Sequence, residues 1–193
     1  MNTKDDLCKA LSLYGVPQIN NHVYEECANF LFLTSLYEER YFDNKHQHRS
    51  EGDRDMCKKL SKKLSLQDFK KFDFMGEHYC KRYIKEDGTE THSFKNLRLP
   101  KDYYDTVKNA LVKFKTKDQC SAYTADLLFA YIMIVYRYRN NMFHGSKGII
   151  NLENYIEQFE INNLFMCKLI EKLHGCGMDM GKKGKKNVSP NLR

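Results

Sequence analysis

The chain has 193 residues, 41% of them hydrophobic and 30% charged, with a formal net charge of +7. That length can bury a sizeable core without disulfides, and three prolines with ten glycines argue against a turn-rich all-β fold. The charge excludes little, because Lys182, Lys183, Lys185, Lys186 and Arg193, less Asp179, supply +4 of it in the last sixteen residues, leaving the rest only mildly basic.

Thr3-Lys4-Asp5-Asp6 has the pattern of a capped helix start, with an acid three residues after the threonine. Leu7, Cys8, Leu11 and Tyr14 give that helix one apolar side, and Gly15 and Pro17 end it. Asn20 or Asn21 can cap the next helix. There Val23, Cys27, Phe30, Thr34, Tyr37 and Tyr41 recur at spacings of four and three, widened by Leu31 and Leu33, which predicts an amphipathic helix of five or six turns ending near Asp43. Residues 44–53 (NKHQHRSEGD) read as a polar loop. His46 and His48 sit two apart in it, but no third ligand stands nearby, so the loop reads as solvated rather than metal-binding.

Arg54 to Leu64 reads as a short helix with Met56, Leu60 and Leu64 inward. Ser65 with Asp68 restarts the pattern, which Phe69, Phe72, Tyr79, Cys80 and Tyr83 continue, with Gly76 placed to interrupt or kink it. Lys85 to Leu99 is the least regular stretch, and Asp87-Gly88 suits a small hairpin turn. Pro100 opens another helix at its first turn, with Tyr103, Val107, Leu111 and Phe114 inward. A break near 115–117 follows. After it, Leu127 to Tyr136 are ten consecutive hydrophobic residues. A helix apolar on every side is normally buried on every side, and ten residues are too few to span a bilayer, which needs about 20. The 126–144 stretch is therefore expected to be the central helix. Asn151 can cap a last helix whose core side is Leu152, Tyr155, Ile156, Phe159, Phe165, Leu169 and Leu173, ended by His174-Gly175.

The elements add up to an all-α bundle of five or more helices around one buried helix. It is expected to form a single domain over 1–177 with a basic flexible tail over 178–193. Seven cysteines without a CxxC pair, and no secretory signal pattern, point to a reducing cytoplasm rather than to disulfide, thiol or zinc chemistry.

The polar end of the central helix gathers the chemistry: Arg137, Tyr138, Arg139, Asn140, Asn141 and His144, closed by Gly145. Arg139 and His144 lie about 140° and about 7.5 Å apart on an ideal helix, but Gly145 permits the left-handed conformation that closes helices, which lets His144 swing back toward Arg139. The dipole at a helix C-terminus favours imidazolium, and a histidine near neutrality both accepts and donates protons. An arginine fork suits phosphate. Arg139 and His144, with Asn140 to hold a water, a phosphate oxygen or an imidazole nitrogen, form a minimal kit for phosphodiester chemistry on RNA without a metal.

The segment Arg139-Asn140-Asn141-Met142-Phe143-His144 resembles the R-x(4–6)-H motif of the HEPN superfamily, in which a polar residue follows the arginine and the motif ends a long helix of an α-helical bundle. Residues 30–37 (FLFLTSLY) resemble an early helix of such domains. The resemblance implies an HEPN-like fold and a metal-independent ribonuclease needing no cofactor, of the kind found in toxin–antitoxin and antiviral defence systems. It implies Arg139 and His144 as catalytic residues, with Asn140 supporting them in the catalytic set. Arg137, Tyr138 and Asn141 stand beside them as candidates to bind substrate, the alternative for Arg137 and Tyr138 being that they bridge core to solvent. It implies RNA as partner, a homodimer with a composite site and an antitoxin or defence-system partner. Some HEPN toxins carry a tyrosine two residues after the histidine, where a partner enzyme modifies it; here that position is Ser146. The competing readings are a catalytically inactive HEPN-like module that binds RNA, nucleotide or protein, and a plain helical adaptor.

Overall fold

The structure, a computed structural model, describes residues 13, 20–41, 49–116, 123–143 and 149–178. Among the described residues there are eight α-helices: α1 (Asn21–Tyr41), α2 (Arg49–Ser61), α3 (Leu66–Lys70), α4 (Asp73–Tyr83), α5 (His92–Lys95), α6 (Lys101–Lys115), α7 (Ala125–Phe143) and α8 (Ile156–Gly175). A 3₁₀ helix, Ile149–Tyr155, leads into α8. Among the described residues there is no strand, only an isolated bridge between Ile84 and Glu90. The architecture is an all-α bundle, and no described helix is long and apolar enough to cross a membrane.

Helix α7 is the axis of the bundle. Leu127 to Tyr136 are each at most 7% exposed. The helix packs along α2 and α6 and touches α1, while Tyr131 meets Tyr79 of α4 and Phe165 of α8 edge to face. A ten-residue apolar run needs neighbours on all sides, and burying each large side chain contributes on the order of 1.5–3 kcal/mol. Helix α1 buries the six residues that its spacing singles out, Val23, Cys27, Phe30, Thr34, Tyr37 and Tyr41. Asn20 Oδ1 accepts from the His22 amide at 2.9 Å, capping it.

Several boundaries differ from the sequence reading. Helix α2 begins at Arg49 rather than Arg54, because Asp53 has a partner inside the fold: the Tyr37 hydroxyl donates to its Oδ1 at 3.0 Å and Asp53 is 0% exposed. The Ser65–Asp68 capping box forms as expected, but the break that follows falls at Lys71–Phe72, not at Gly76. Gly76 lies inside α4, where a Cβ would meet the Phe114 ring and the Tyr131 hydroxyl at 2.5 Å. It is there for close approach, not for a kink. The Asp87-Gly88 turn is present, with Gly88 at φ +78° and the Lys85 amide on the Thr89 carbonyl at 2.8 Å, but it supports one bridge only. Asn151 lies within the 3₁₀ helix, so α8 starts at Ile156. Leu7, Cys8, Leu11, Tyr14, His46, His48 and the tail from 179 lie outside the described residues.

Candidate functional site

Consecutive residues of an α-helix turn by about 100°, so the last two turns of α7 send their polar side chains in three directions. Arg137 and Asn140, with Met133 and Tyr136 a turn earlier, share one side. They form one wall of a pocket of about 310 Å³ whose other walls come from α2, including Asp53, and from the start of α6, including Asp102 and Tyr103. Arg137 is anchored there, because its Nε donates to the Leu97 carbonyl at 2.7 Å. The neighbouring Arg98 has φ +52°, a conformation that costs a non-glycine residue about 1 kcal/mol or more. Buried Leu97 and Leu99 on either side of it hold that turn against the core.

Tyr138 and Asn141, three residues apart, turn inward. Tyr138 is 1% exposed and accepts a 2.8 Å hydrogen bond from the Tyr83 hydroxyl. Burial raises the pKa of both phenols, that of Tyr83 well above its ordinary value, so both stay protonated. Asn141 is also buried. Of the three residues expected to bind substrate, only Arg137 therefore borders open space in this structure. A substrate would reach Tyr138 and Asn141 only if the core rearranged.

Arg139 takes the third direction, toward α1. Its Nη2 donates to Glu38 Oε2 at 3.3 Å, with the two side chains 27% and 19% exposed. A half-sheltered guanidinium beside a carboxylate is held in place by charge and geometry together. His144, Gly145 and Ser146 lie outside the described residues. Arg139 and Asn140 are thus brought to one helix end, but about 100° apart, the first facing α1 and the second facing the pocket.

Two of these neighbours were not singled out by the sequence. Glu38 follows buried Tyr37 and lies four residues after buried Thr34, so it sits on the shoulder of the buried face of α1; that offset was its one local signal. Asp53 reads as a loop residue unless the spacing of 53, 56, 57 and 60 is taken as a helix face, which the structure shows it to be, since all four are buried. Tyr103 was expected only to face inward. It lines the pocket, and burial raises its pKa against the pull of Arg137, so its hydroxyl also stays protonated.

The three buried cysteines, Cys27, Cys57 and Cys80, behave as packing residues. Burial pushes Cys27 up to about 11 and Cys80 up to about 12, and holds Cys57, next to Asp53, well above its ordinary value. None of these three forms a thiolate near neutrality. Among the described residues no three or more His, Cys, Asp or Glu side chains converge as a metal site would require. The chain end of α7 therefore offers a fixed arginine with a carboxylate partner, an amide, and an adjoining polar pocket, an arrangement suited to holding an anion beside a flat polar group. No family model, curated protein or solved structure matches this chain.

Proposed function

We propose that the chain is a metal-independent endoribonuclease of the HEPN type that cleaves RNA by attack of a 2′-hydroxyl on the adjacent phosphate, working in a toxin–antitoxin or phage-defence setting. The observation that supports this most is the position of Arg139, half sheltered at the end of a helix that the bundle buries on every side, five residues before His144. In this reading Arg139 stabilises the charge that develops on the phosphate, Asn140 positions a phosphate oxygen or the imidazole, and His144 moves the proton. Such chemistry favours a base on one side of the phosphate and an acid on the other, which a two-fold dimer supplies from a single motif.

The test is a cleavage assay on mixed RNA in EDTA. Products with 2′,3′-cyclic phosphate and 5′-hydroxyl ends are expected, and His144→Ala and Arg139→Ala should each abolish them. Loss of activity in EDTA, or 5′-phosphate ends, would overturn the reading. The Glu38–Arg139 pair favours a second reading, an inactive HEPN-like binding module, since a carboxylate already occupies the arginine; that reading expects RNA binding without cleavage.

A further inference from the structure

We infer that the lysine corner built from the end of α2, the link after it and α3 is a docking surface for the phosphate backbone of single-stranded RNA, remote from Arg139. The inference rests on the ribonuclease reading for the choice of RNA, while the charge of the corner is independent of that reading.

Residues 58–71 (KKLSKKLSLQDFKK) hold six lysines and one acid, a net charge of +5. With the +4 of the last sixteen residues, this leaves the rest of the chain, Arg137 and Arg139 included, at −2. The whole positive excess therefore sits in two segments, and the fold brings their roots together. Lys63 Nζ donates to the Cys176 carbonyl at 2.7 Å, and Lys172 of α8 donates to Asp68 of α3. The Met178 amide donates to the Leu173 carbonyl at 2.9 Å, so the chain leaves α8 for residues 179–193 from beside the corner.

Part of this charge has local partners. Lys71 and Lys172 flank Asp68. Lys58 and Lys59 lie in the last turn of α2, where cations suit the helix dipole. Neither role accounts for Lys62 and Lys70, which are exposed together with Lys58 and Lys59. Like charges gathered this densely attract a polyanion, whose released counterions drive binding. The apolar residues between the lysines face inward: Leu60 and Phe69 are 0% and 5% exposed, Leu64 packs against the core, and only Leu66 is exposed. A membrane-surface helix lays a broad apolar face into the lipid, which this corner lacks. No exposed aromatic interleaves the lysines in 58–71 to stack a base, so the corner suits phosphates and reads no sequence.

The corner also lies away from the candidate site. Ser50, near the start of α2, lines the pocket with Asn140, whereas the Arg54 guanidinium lies 4.9 Å over the ring of Phe129. Helix α2 thus runs antiparallel to α7, and its lysine end points away from Arg139. Phe129 and Arg139 are about 15 Å apart along α7. A strand held at both places spans the bundle, so the corner retains RNA without choosing the bond that is cut.

The experiment measures fluorescence anisotropy of a single-stranded 2′-deoxy oligonucleotide of about 12 nucleotides with the full chain in EDTA, over a series of salt concentrations. The probe cannot be cleaved. Replacing Lys58, Lys59, Lys62 and Lys70 by Gln should weaken binding about tenfold or more at low salt and make the logarithmic salt slope shallower by about 2–3, at about 0.7 per phosphate contact. If circular dichroism shows that variant unfolded, Lys62→Gln with Lys70→Gln carries the test, with a slope shallower by about 1–2. Replacing Lys81, Lys85, Lys95 and Lys101 by Gln removes the same net charge elsewhere and should change the slope by less than about 1. An unchanged slope in the corner variant, an equal loss in the control variant, or tighter binding to vesicles of equal parts phosphatidylcholine and phosphatidylserine than to the oligonucleotide would each overturn the inference. A chain that holds the oligonucleotide through the corner but leaves RNA uncut would uphold the corner and sink the ribonuclease reading; a chain that cuts RNA and loses no affinity in the corner variant would do the reverse.

Discussion

Arg139 of α7 and Glu38 of α1 meet at 3.3 Å although 101 residues separate them in the chain. The contact places a carboxylate where an RNA phosphate would compete for the same guanidinium. Glu38→Gln keeps the shape and removes that competition, so affinity for an uncleavable 2′-deoxy oligonucleotide should rise by up to about fivefold, the equivalent of about 1 kcal/mol for a partly exposed pair. Fluorescence anisotropy at fixed salt reads it, and unchanged or weaker binding would show that Glu38 positions the arginine instead of blocking it. The sequence suggests that Arg139→Ala would leave stability almost untouched. With side chains only 27% and 19% exposed, a drop in Tm of about 2–4 °C is expected instead.

If the site is composite, the active unit is a dimer. Co-expressing His144→Ala with wild type should then make activity fall faster than the wild-type fraction, because heterodimers lose one of two histidines. A fall in strict proportion, or a fully active monomer at micromolar concentration, would reject shared catalysis.

Tyr138 tests whether burial or sequence position governs its role. Tyr138→Phe removes the acceptor of the 2.8 Å bond from Tyr83 inside the core, which should cost about 1–2 kcal/mol and leave RNA affinity unchanged. A variant with native thermal stability and weakened RNA binding would return Tyr138 to the substrate surface.

Gly76→Ala should be more damaging than a helix-propensity argument allows. Alanine is the better helix former by about 1 kcal/mol, yet its Cβ would meet the Phe114 ring and the Tyr131 hydroxyl at 2.5 Å. Tyr131 is 0% exposed and has nowhere to retreat. Overpacking of this kind costs about 1–3 kcal/mol, and a chemical-denaturation curve would show it. A stabilised variant would mean that α4 can shift away.

The link between α3 and α8 gives a pH signature. Lys172 donates to Asp68 Oδ1 at 2.5 Å, and that bond, with those from Ser65, holds the Asp68 carboxyl well below the usual carboxylate range. The folded value lies below the unfolded one, so the stabilisation is present above the unfolded pKa of about 3.9 and is lost as pH falls through the folded value. Lys172→Met should lower Tm at pH 7, with the gap to wild type closing as acid protonates Asp68. A gap independent of pH would assign the effect to packing of the lysine stem.

What the sequence determined by itself was local. Spacing at four and three named every buried residue of α1, and the run from Leu127 to Tyr136 identified the central helix, because helix periodicity and hydrophobic burial act on residues within a few turns of each other. The Ser65–Asp68 box and the Gly88 turn were legible for the same reason. The tertiary structure decided what crosses between elements. It gave Arg139 its partner Glu38, drew Asp53 out of an apparent loop into a buried contact with Tyr37, and turned Tyr138 from a helix-end residue into a core one. It also assigned Gly76 to close packing against Phe114 and Tyr131. Each of these depends on which helix faces which, and that is set by how several apolar surfaces fill one interior together, a condition no single segment carries.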